Sequence, residues 1–251
     1  MTHLLEARHI SKQFTEHGNV HRVLDDVSFS LSAGECVGLV GRSGCGKSTL
    51  ARIVARLEPA DSGAIMFDGQ DIAQFHGKKR TAIYEKMQMI FQQPRAAFNP
   101  RQTLGWSITE GLRNRGMAGE AAMERAAELL GAVGLPETYL NRYPHEVSGG
   151  ECQRAAIARA LAPSPKLLIS DEATSALDAT VQREVLALLK RLCKERDIAC
   201  LFITHDLALT QEFCGRLLVM QHGRIVEEGN AESILLHPQS DAARELLGAM
   251  L

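Results

Sequence analysis

Cys36-Val37-Gly38-Leu39-Val40-Gly41-Arg42-Ser43-Gly44-Cys45-Gly46-Lys47-Ser48-Thr49 joins a short apolar run to a glycine-rich turn and then to a helical pattern. Residues 36–40 are continuously apolar, as expected of a central parallel strand. Residues 41–48 match G-x-x-x-x-G-K-[ST], in the strand-to-helix context that this motif requires. The glycines let successive backbone N–H groups turn inward as a nest. The helix N-terminus adds about half a positive charge. A triphosphate suits such a cradle. Gly41, Arg42, Ser43, Gly44, Cys45 and Gly46 would wrap it, and Lys47 would bridge its β- and γ-phosphates. Ser48 would offer a hydroxyl to Mg²⁺, with Thr49 beside it. Without a ligand, Lys47 would sit partnerless at a helix N-terminus, where a cation is disfavoured.

Outward from this loop, strand and helix patterns alternate. Val27, Phe29 and Leu31 alternate with Ser28, Ser30 and Ser32, the period of a strand with one buried face, and the first thirty residues read as strands. Residues 48–57 read as a helix ending before Pro59. Residues 64–67 read as a strand closed by Asp68-Gly69. From about 103 to 140 the periodicity is helical, with Met123, Ala126, Ala127 and Leu130 on one face and Gly134 placed to cap its end. Strand logic returns at 166–170. A helix follows with Val181, Val185, Leu188, Leu189 and Leu192 on one stripe. Then come a strand (199–204), a short helix (207–213) and two strands (216–221 and 224–228) around His222-Gly223, a hairpin turn. The last twenty residues read as helical, broken at Pro238. The alternation predicts an α/β fold with a mainly parallel sheet. The terminal hairpins predict an added antiparallel layer.

Composition narrows the function. The 251 residues are 45% apolar and 23% charged, the balance of a globular protein. Asp plus Glu is 30 against 28 Lys plus Arg, so no overall positive field draws nucleic acid or an anionic membrane. Apolar runs such as 198–203 are far shorter than the ~20 residues of a membrane span. The first eight residues lack an apolar signal core. No Cys-x-x-Cys pair occurs among the six cysteines, which predicts reduced thiols and no structural metal. His3, His9, His17 and His21 share no ligand spacing and read as surface histidines.

Two further strand ends carry chemistry. The strand at 167–170 runs into Asp171-Glu172. Successive strand side chains point differently. Asp171 could therefore hold Mg²⁺ while Glu172 faces an attacking water, the metal clamp and general base of phosphoryl transfer to water. The strand at 199–204 ends at His205. In parallel sheets ligands sit at the carboxyl ends of strands, so His205 is placed to sense the γ-phosphate. Ser148-Gly149-Gly150-Glu151 precedes an alanine-rich helix (155–162) and forms a second anion-binding N-terminus. One nucleotide already has its cradle at 41–48, so this second site suggests service to the nucleotide of another chain.

In this combination and order the sequence resembles the ATP-binding cassette ATPases over essentially its whole length. The resemblance implies a P-loop NTPase (RecA-like) parallel core with an N-terminal antiparallel β layer and a helical subdomain. The core would take residues 1–91 and 152–230, the helical subdomain 92–151 and a helical tail 231–251. It implies that two ATP molecules are sandwiched in a dimer, between one chain's phosphate loop and the other's signature loop, 148–152. Gln92 is similar to the family's metal-contacting glutamine, linking nucleotide to transporter and sharing Mg²⁺ with Ser48 and Asp171. Ser175-Ala176-Leu177-Asp178 is similar to its dimer-contact loop, which sets Asp178 near nucleotide. Phe14 stands where an adenine-stacking aromatic is expected. Two residues depart from the pattern. The signature carries Glu151 where the family usually has Gln: a carboxylate in the first helical turn suits the dipole, but one facing phosphate would weaken binding. Gln93 follows Gln92 where related importers often carry an acid.

Roughly a hundred residues separate phosphate loop and signature, too few for the inserted coiled coils of DNA-repair members. One cassette and no membrane helix fit a bacterial importer subunit, held peripherally at the cytoplasmic face of the inner membrane. A soluble regulatory or nucleic-acid-linked cassette would need a basic patch or a second cassette. A cassette without turnover is disfavoured by Lys47, Asp171, Glu172 and His205. The expected partners are a second ABC ATPase subunit in a heterodimer, two transmembrane permeases and an extracytoplasmic substrate-binding protein. Gln92 with the segment 98–108 would pass motion to a permease, with Trp106 as a contact or a core residue. Tyr143-Pro144-His145-Glu146, Phe98-Asn99-Pro100-Arg101 and His237-Pro238 resemble the peptide and nickel importers. Residues 41–48 and 199–207, with the early end of the chain, favour nickel or a nickel–metallophore complex over dipeptides and oligopeptides.

Overall fold

The computed structural model describes residues 3–16, 19–174 and 177–248. The chain forms two compact units, Met1–Ile83 with Ala199–Leu251, and Tyr84–Ile198. The first unit begins with β1 (Leu5–Glu16), β2 (Asn19–Leu31), β3 (Cys36–Val40), α1 (Lys47–Val54), β4 (Ser62–Phe67) and β5 (Gln70–Asp71), and α2 (Gly77–Lys86) leads out of it. The second unit carries β6 (Met87–Ile90), α3 (Leu104–Arg113), α4 (Gly119–Ala132), α5 (Gly149–Leu161), β7 (Leu167–Asp171) and α6 (Ala179–Glu195). The chain then returns with β8 (Ala199–Thr204), α7 (Leu207–Phe213), β9 (Arg216–Gln221), β10 (Arg224–Asn230), α8 (Ala231–Leu236) and α9 (Asp241–Gly248).

In the first unit the expected antiparallel layer is present, with strand order β2-β1-β4-β5. Val27, Phe29 and Leu31 are buried, as their alternation requires. The apolar run of β3 lies between two parallel neighbours, β8 and β9, and β10 returns antiparallel on β9. The β9–β10 turn is His222-Gly223, with φ of 48° and 76°. Two successive positive φ values match the right-handed twist of the flanking strands. Asp68-Gly69 closes β4 on β5 in the same way, with φ of 53° and 77°.

In the second unit β6 and β7 pair in parallel, Met87 against Leu167 through Ile90 against Ser170. Gly134, at φ 75°, ends the α4 region as expected. Its N–H reaches Gly131 O and that of Leu135 reaches Leu130 O, the paired bonds of a Schellman cap.

Several expectations need correction. The helix after the phosphate loop stops at Val54, not 57. Arg56 takes φ 58°, so that Arg56 N–H bonds Ile53 O and Leu57 N–H bonds Arg52 O, a Schellman cap built without glycine. Its guanidinium donates to Ala73 O, a tertiary bond invisible to local pattern. The buried stripe of α4 is Ala122, Ala126, Leu129 and Leu130, while Met123 is 37% exposed. Residues 123, 126, 127 and 130 and the true stripe share two members, so period alone left the face about one residue out of phase. Val181 is only half-buried, whereas Val185, Leu188, Leu189 and Leu192 are buried. The signature helix begins at Gly149, well before 155. The sequence reading missed β5, β6 and α2. The last is mostly exposed, with Ile83 its one buried residue, so it has no apolar stripe to read.

Candidate functional site

In the first unit, β3 and β8 run parallel with Val40 opposite Thr204. Gly41 and His205 therefore emerge at one sheet edge, the position that parallel sheets use for ligands. The phosphate loop wraps to α1 through Gly44 at φ 81° and Gly46 at φ 111°. A Cβ on Gly46 would approach Val23 O to 2.8 Å, and one on Gly41 would approach Met220 O to 2.3 Å. Only glycine fits these two positions. Gly46 is the N-cap of α1 and makes no side-chain cap bond, and the first turn holds no acid. The helix thus keeps its N–H groups and positive end for an anion. Lys47 is 4% exposed, and its Nζ donates to Gly41 O at 2.7 Å and Arg42 O at 3.1 Å. This corrects the expectation that Lys47 lacks a partner without a ligand: the loop turns two of its own neutral carbonyls onto the ammonium, which hold it inside the loop without cancelling its charge. A triphosphate fits this cradle.

Arg42, Ser43, Gly44 and Cys45 line a cleft of about 730 Å³ with His21, Arg22, Val23 and the His222-Gly223 turn. Glu245 of α9, also in its wall, has its Oε2 3.4 Å from Arg42 Nη1. Phe14 faces His21 across the β1–β2 ladder and is 37% exposed. Lys12 Nζ sits 5.1 Å from its ring centroid. That ammonium is fixed by Glu58 at 2.9 Å, Asp61 at 3.3 Å and Pro59 O at 2.8 Å. Burial opposes the Lys12 charge, but the two carboxylates outweigh burial and hold its pKa above the ordinary lysine value. Sequence reasoning missed Lys12, because Glu58 and Asp61 lie more than forty residues away.

The second unit holds the other candidates. Ile90 stands opposite Ser170, so β6 and β7 deliver Gln92 and Asp171-Glu172 to one edge. Gln92 Nε2 donates to Glu172 Oε2 at 3.0 Å. Asp171 closes β7 and is buried, while Glu172 takes φ 46°. That left-handed kink, rather than simple strand alternation, separates the two carboxylates. A glutamate there is strained by about 1–2 kcal/mol. Of the loop similar to a dimer contact, Ser175 and Ala176 lie outside the described residues, as does His17. Asp178 is the N-cap of α6 and accepts from Val181 N at 3.0 Å.

Ser148 is the N-cap of α5. A Cβ on Gly150 would approach Val181 Cγ1 to 2.6 Å, so the two helix N-termini pack closely. Glu151 closes a capping box, its Oε2 accepting from Ser148 N at 2.7 Å while its own N–H reaches Ser148 Oγ at 3.3 Å. Its Oε1 accepts from Tyr139 Oη at 2.5 Å. The Tyr139 hydroxyl first, and the Ser148 donors second, hold the Glu151 carboxyl below the ordinary glutamate pKa. Burial pushes the neighbouring Cys152 thiol up to about 11, the property of an inert core residue.

Behind the signature, Arg95 donates to Val147 O at 2.8 Å and Arg159 donates to Ala97 O with its guanidinium 5.1 Å from the Phe98 ring. These two arginines tie the segment after Gln92 to both ends of α5. No spacing in the sequence marked them. Phe98 is buried, and Trp106 is half-buried under Arg113 at 4.7 Å. No helix among the described residues is long and apolar enough to cross a membrane.

The ABC transporter family model matches residues 24–175. The oligopeptide transport ATP-binding protein OppF of Bacillus subtilis is 43% identical over 253 residues, covering 98% of this chain and 82% of its own. The glutathione import ATP-binding protein GsiA of Salmonella paratyphi A is 46% identical over 232 residues, covering 92% of this chain and 37% of its own. An ATP-binding cassette solved as a dimer in a post-hydrolysis state with ADP and phosphate superposes with a TM-score of 0.83 at 28% identity, covering 90% of this chain and 98% of that one. The cradle at 41–48, the fold and these likenesses agree: the chain belongs to the ABC transporter family and is one of its ATPase subunits.

Proposed function

We propose that the chain is the ATP-hydrolysing subunit of an importer that takes up peptide-class cargo. It would act peripherally at the cytoplasmic face of a bacterial inner membrane. A second ATPase subunit, two permeases and an extracytoplasmic binding protein would be its partners. The observation that carries the catalytic part is the 3.0 Å contact of Gln92 with Glu172. It sets an amide that can follow a partner's movement against the carboxylate that can polarise water. In this reading the loop at 41–48 binds the β- and γ-phosphates through N–H groups and Lys47. Ser48, Gln92 and Asp171 would hold Mg²⁺, which when bound neutralises phosphate charge. Glu172 accepts a proton from the attacking water and His205 donates to the γ-phosphate. Phe14 stacks on the base. Ser148, Gly149, Gly150, Glu151 and Asp178 serve the dimer face.

Peptide cargo is supported by the names of the relatives, which speak of oligopeptide transport and glutathione import. The resemblance at 41–48 and 199–207 favours nickel instead. Those residues form the phosphate loop and a buried strand with its end, which hold no cargo chemistry. The test is the assembled transporter in vesicles, with ATP hydrolysis followed as its binding protein is loaded with an oligopeptide, glutathione or Ni²⁺. Stimulation by oligopeptide or glutathione supports the proposal. Stimulation by Ni²⁺ alone overturns the cargo and leaves the ATPase reading standing.

A further inference from the structure

The signature loop carries a carboxylate where a neutral amide would serve an anionic ligand better. Glu151 lies at the third position of α5, beside the helix N–H groups that would face a phosphate. Left free, that charge would repel the ligand it is meant to help bind. In the structure it is not free. Oε2 is engaged by Ser148 N at 2.7 Å and Oε1 by Tyr139 Oη at 2.5 Å. Tyr139 comes from the short 3₁₀ turn Glu137–Asn141, beyond the α4 cap, and its ring is half-buried. The hydroxyl is thus delivered by a segment that does not belong to the signature.

We propose that Tyr139 is a positioning residue for the signature loop: its hydroxyl holds the Glu151 carboxylate in the capping box and away from the nucleotide that Ser148 and Gly150 would contact. The proposal rests on the reading of 148–151 as a nucleotide-facing loop. Both carboxylate oxygens then spend their charge on donors of this chain. Ser148 Oγ keeps its place at the cap. Removing the tyrosine hydroxyl takes away the donor on Oε1 and leaves only the Ser148 donors. Charge-assisted bonds of this length are the strong ones, so the rotamer should loosen.

The test is a double-mutant cycle in the assembled transporter, reading the ATP concentration for half-maximal hydrolysis and the maximal rate separately. Ser148→Arg comes first: if hydrolysis is unaffected, the nucleotide-facing reading of the loop fails on its own. With that control passed, Tyr139→Phe should raise the half-saturating ATP concentration about ten-fold, the scale of one lost bond to a charged group. Tyr139→Phe combined with Glu151→Gln should return to the value of Glu151→Gln by itself, the reference for that half of the cycle. Rescue by the amide is the outcome that a purely structural tyrosine cannot produce. Three results overturn the proposal. One is no change on Tyr139→Phe. A second is an equal loss in both backgrounds, whether or not the melting temperature also falls. The third is a gain of ten-fold or more from Glu151→Gln alone, which would mean that the carboxylate was never neutralised.

Discussion

Gln92 Nε2 lies 3.0 Å from Glu172 Oε2, although eighty residues separate them in the chain. Parallel pairing of β6 with β7 brings them together, and the left-handed turn at Glu172 aims the carboxylate. If Glu172 is the base, Glu172→Gln should lower maximal ATP hydrolysis at least about 100-fold, the scale of a positioned base, and leave nucleotide binding intact. Phosphate release and fluorescent-nucleotide titration measure the two. Wild-type turnover in the variant would remove Glu172 from the role.

Lys47 is buried against Gly41 O and Arg42 O. If Lys47 bridges the phosphates, Lys47→Ala should weaken ATP binding about ten-fold or more, because the charge-assisted bonds of a buried cation are then lost. Equilibrium binding to the purified variant checks this. Unchanged affinity would show that the helix N-terminus alone holds the phosphates.

The loop glycines are separable by substitution. A Cβ on Gly44 would meet only open space, so this position needs glycine solely for its φ of 81°. Gly44→Ala should therefore cost about 1 kcal/mol of unfolding free energy. Gly46 has both a φ of 111° and a 2.8 Å approach to Val23 O. Gly46→Ala should cost at least about 2 kcal/mol. Denaturant unfolding of the two variants measures both losses. Equal losses would show that the close approach to Val23 O is irrelevant.

Glu35 and Arg216 pair at 2.8 Å, and Arg216 also reaches Glu228 and Ser30 O. Burial works to raise the Glu35 pKa, and the Arg216 guanidinium with the Ser32 N–H outweighs it, leaving the carboxyl below the ordinary value. A lowered folded pKa means stability that is present above the unfolded value, about 4.3, and lost as pH falls through the folded one. Unfolding free energy should fall with acidity below about pH 4.3, and Glu35→Gln should flatten that slope. An unchanged slope would assign the acid sensitivity to other carboxylates.

The features legible in the chain alone are those whose chemistry is local. Gly41–Ser48 could be read because an anion cradle needs glycines, a lysine and a helix start within eight residues. Gly134 spells a helix end and His222-Gly223 a two-residue turn, each within a few residues. Strands β8 and β9 fell where their patterns placed them, since continuous apolar runs bounded by polar residues leave little choice of ends. The other features depend on contacts between distant segments. The end of α1 at Arg56 is held by Ala73 O, and the buried face of α4 was set by what packs on it rather than by period. Glu151 could be read as suiting the helix dipole or as a liability beside phosphate, and only the arrival of Tyr139 from beyond α4 decides where its charge goes. Arg95 and Arg159 had no pattern at all, because a side chain that bonds a distant backbone carbonyl leaves no periodic trace in the sequence that carries it.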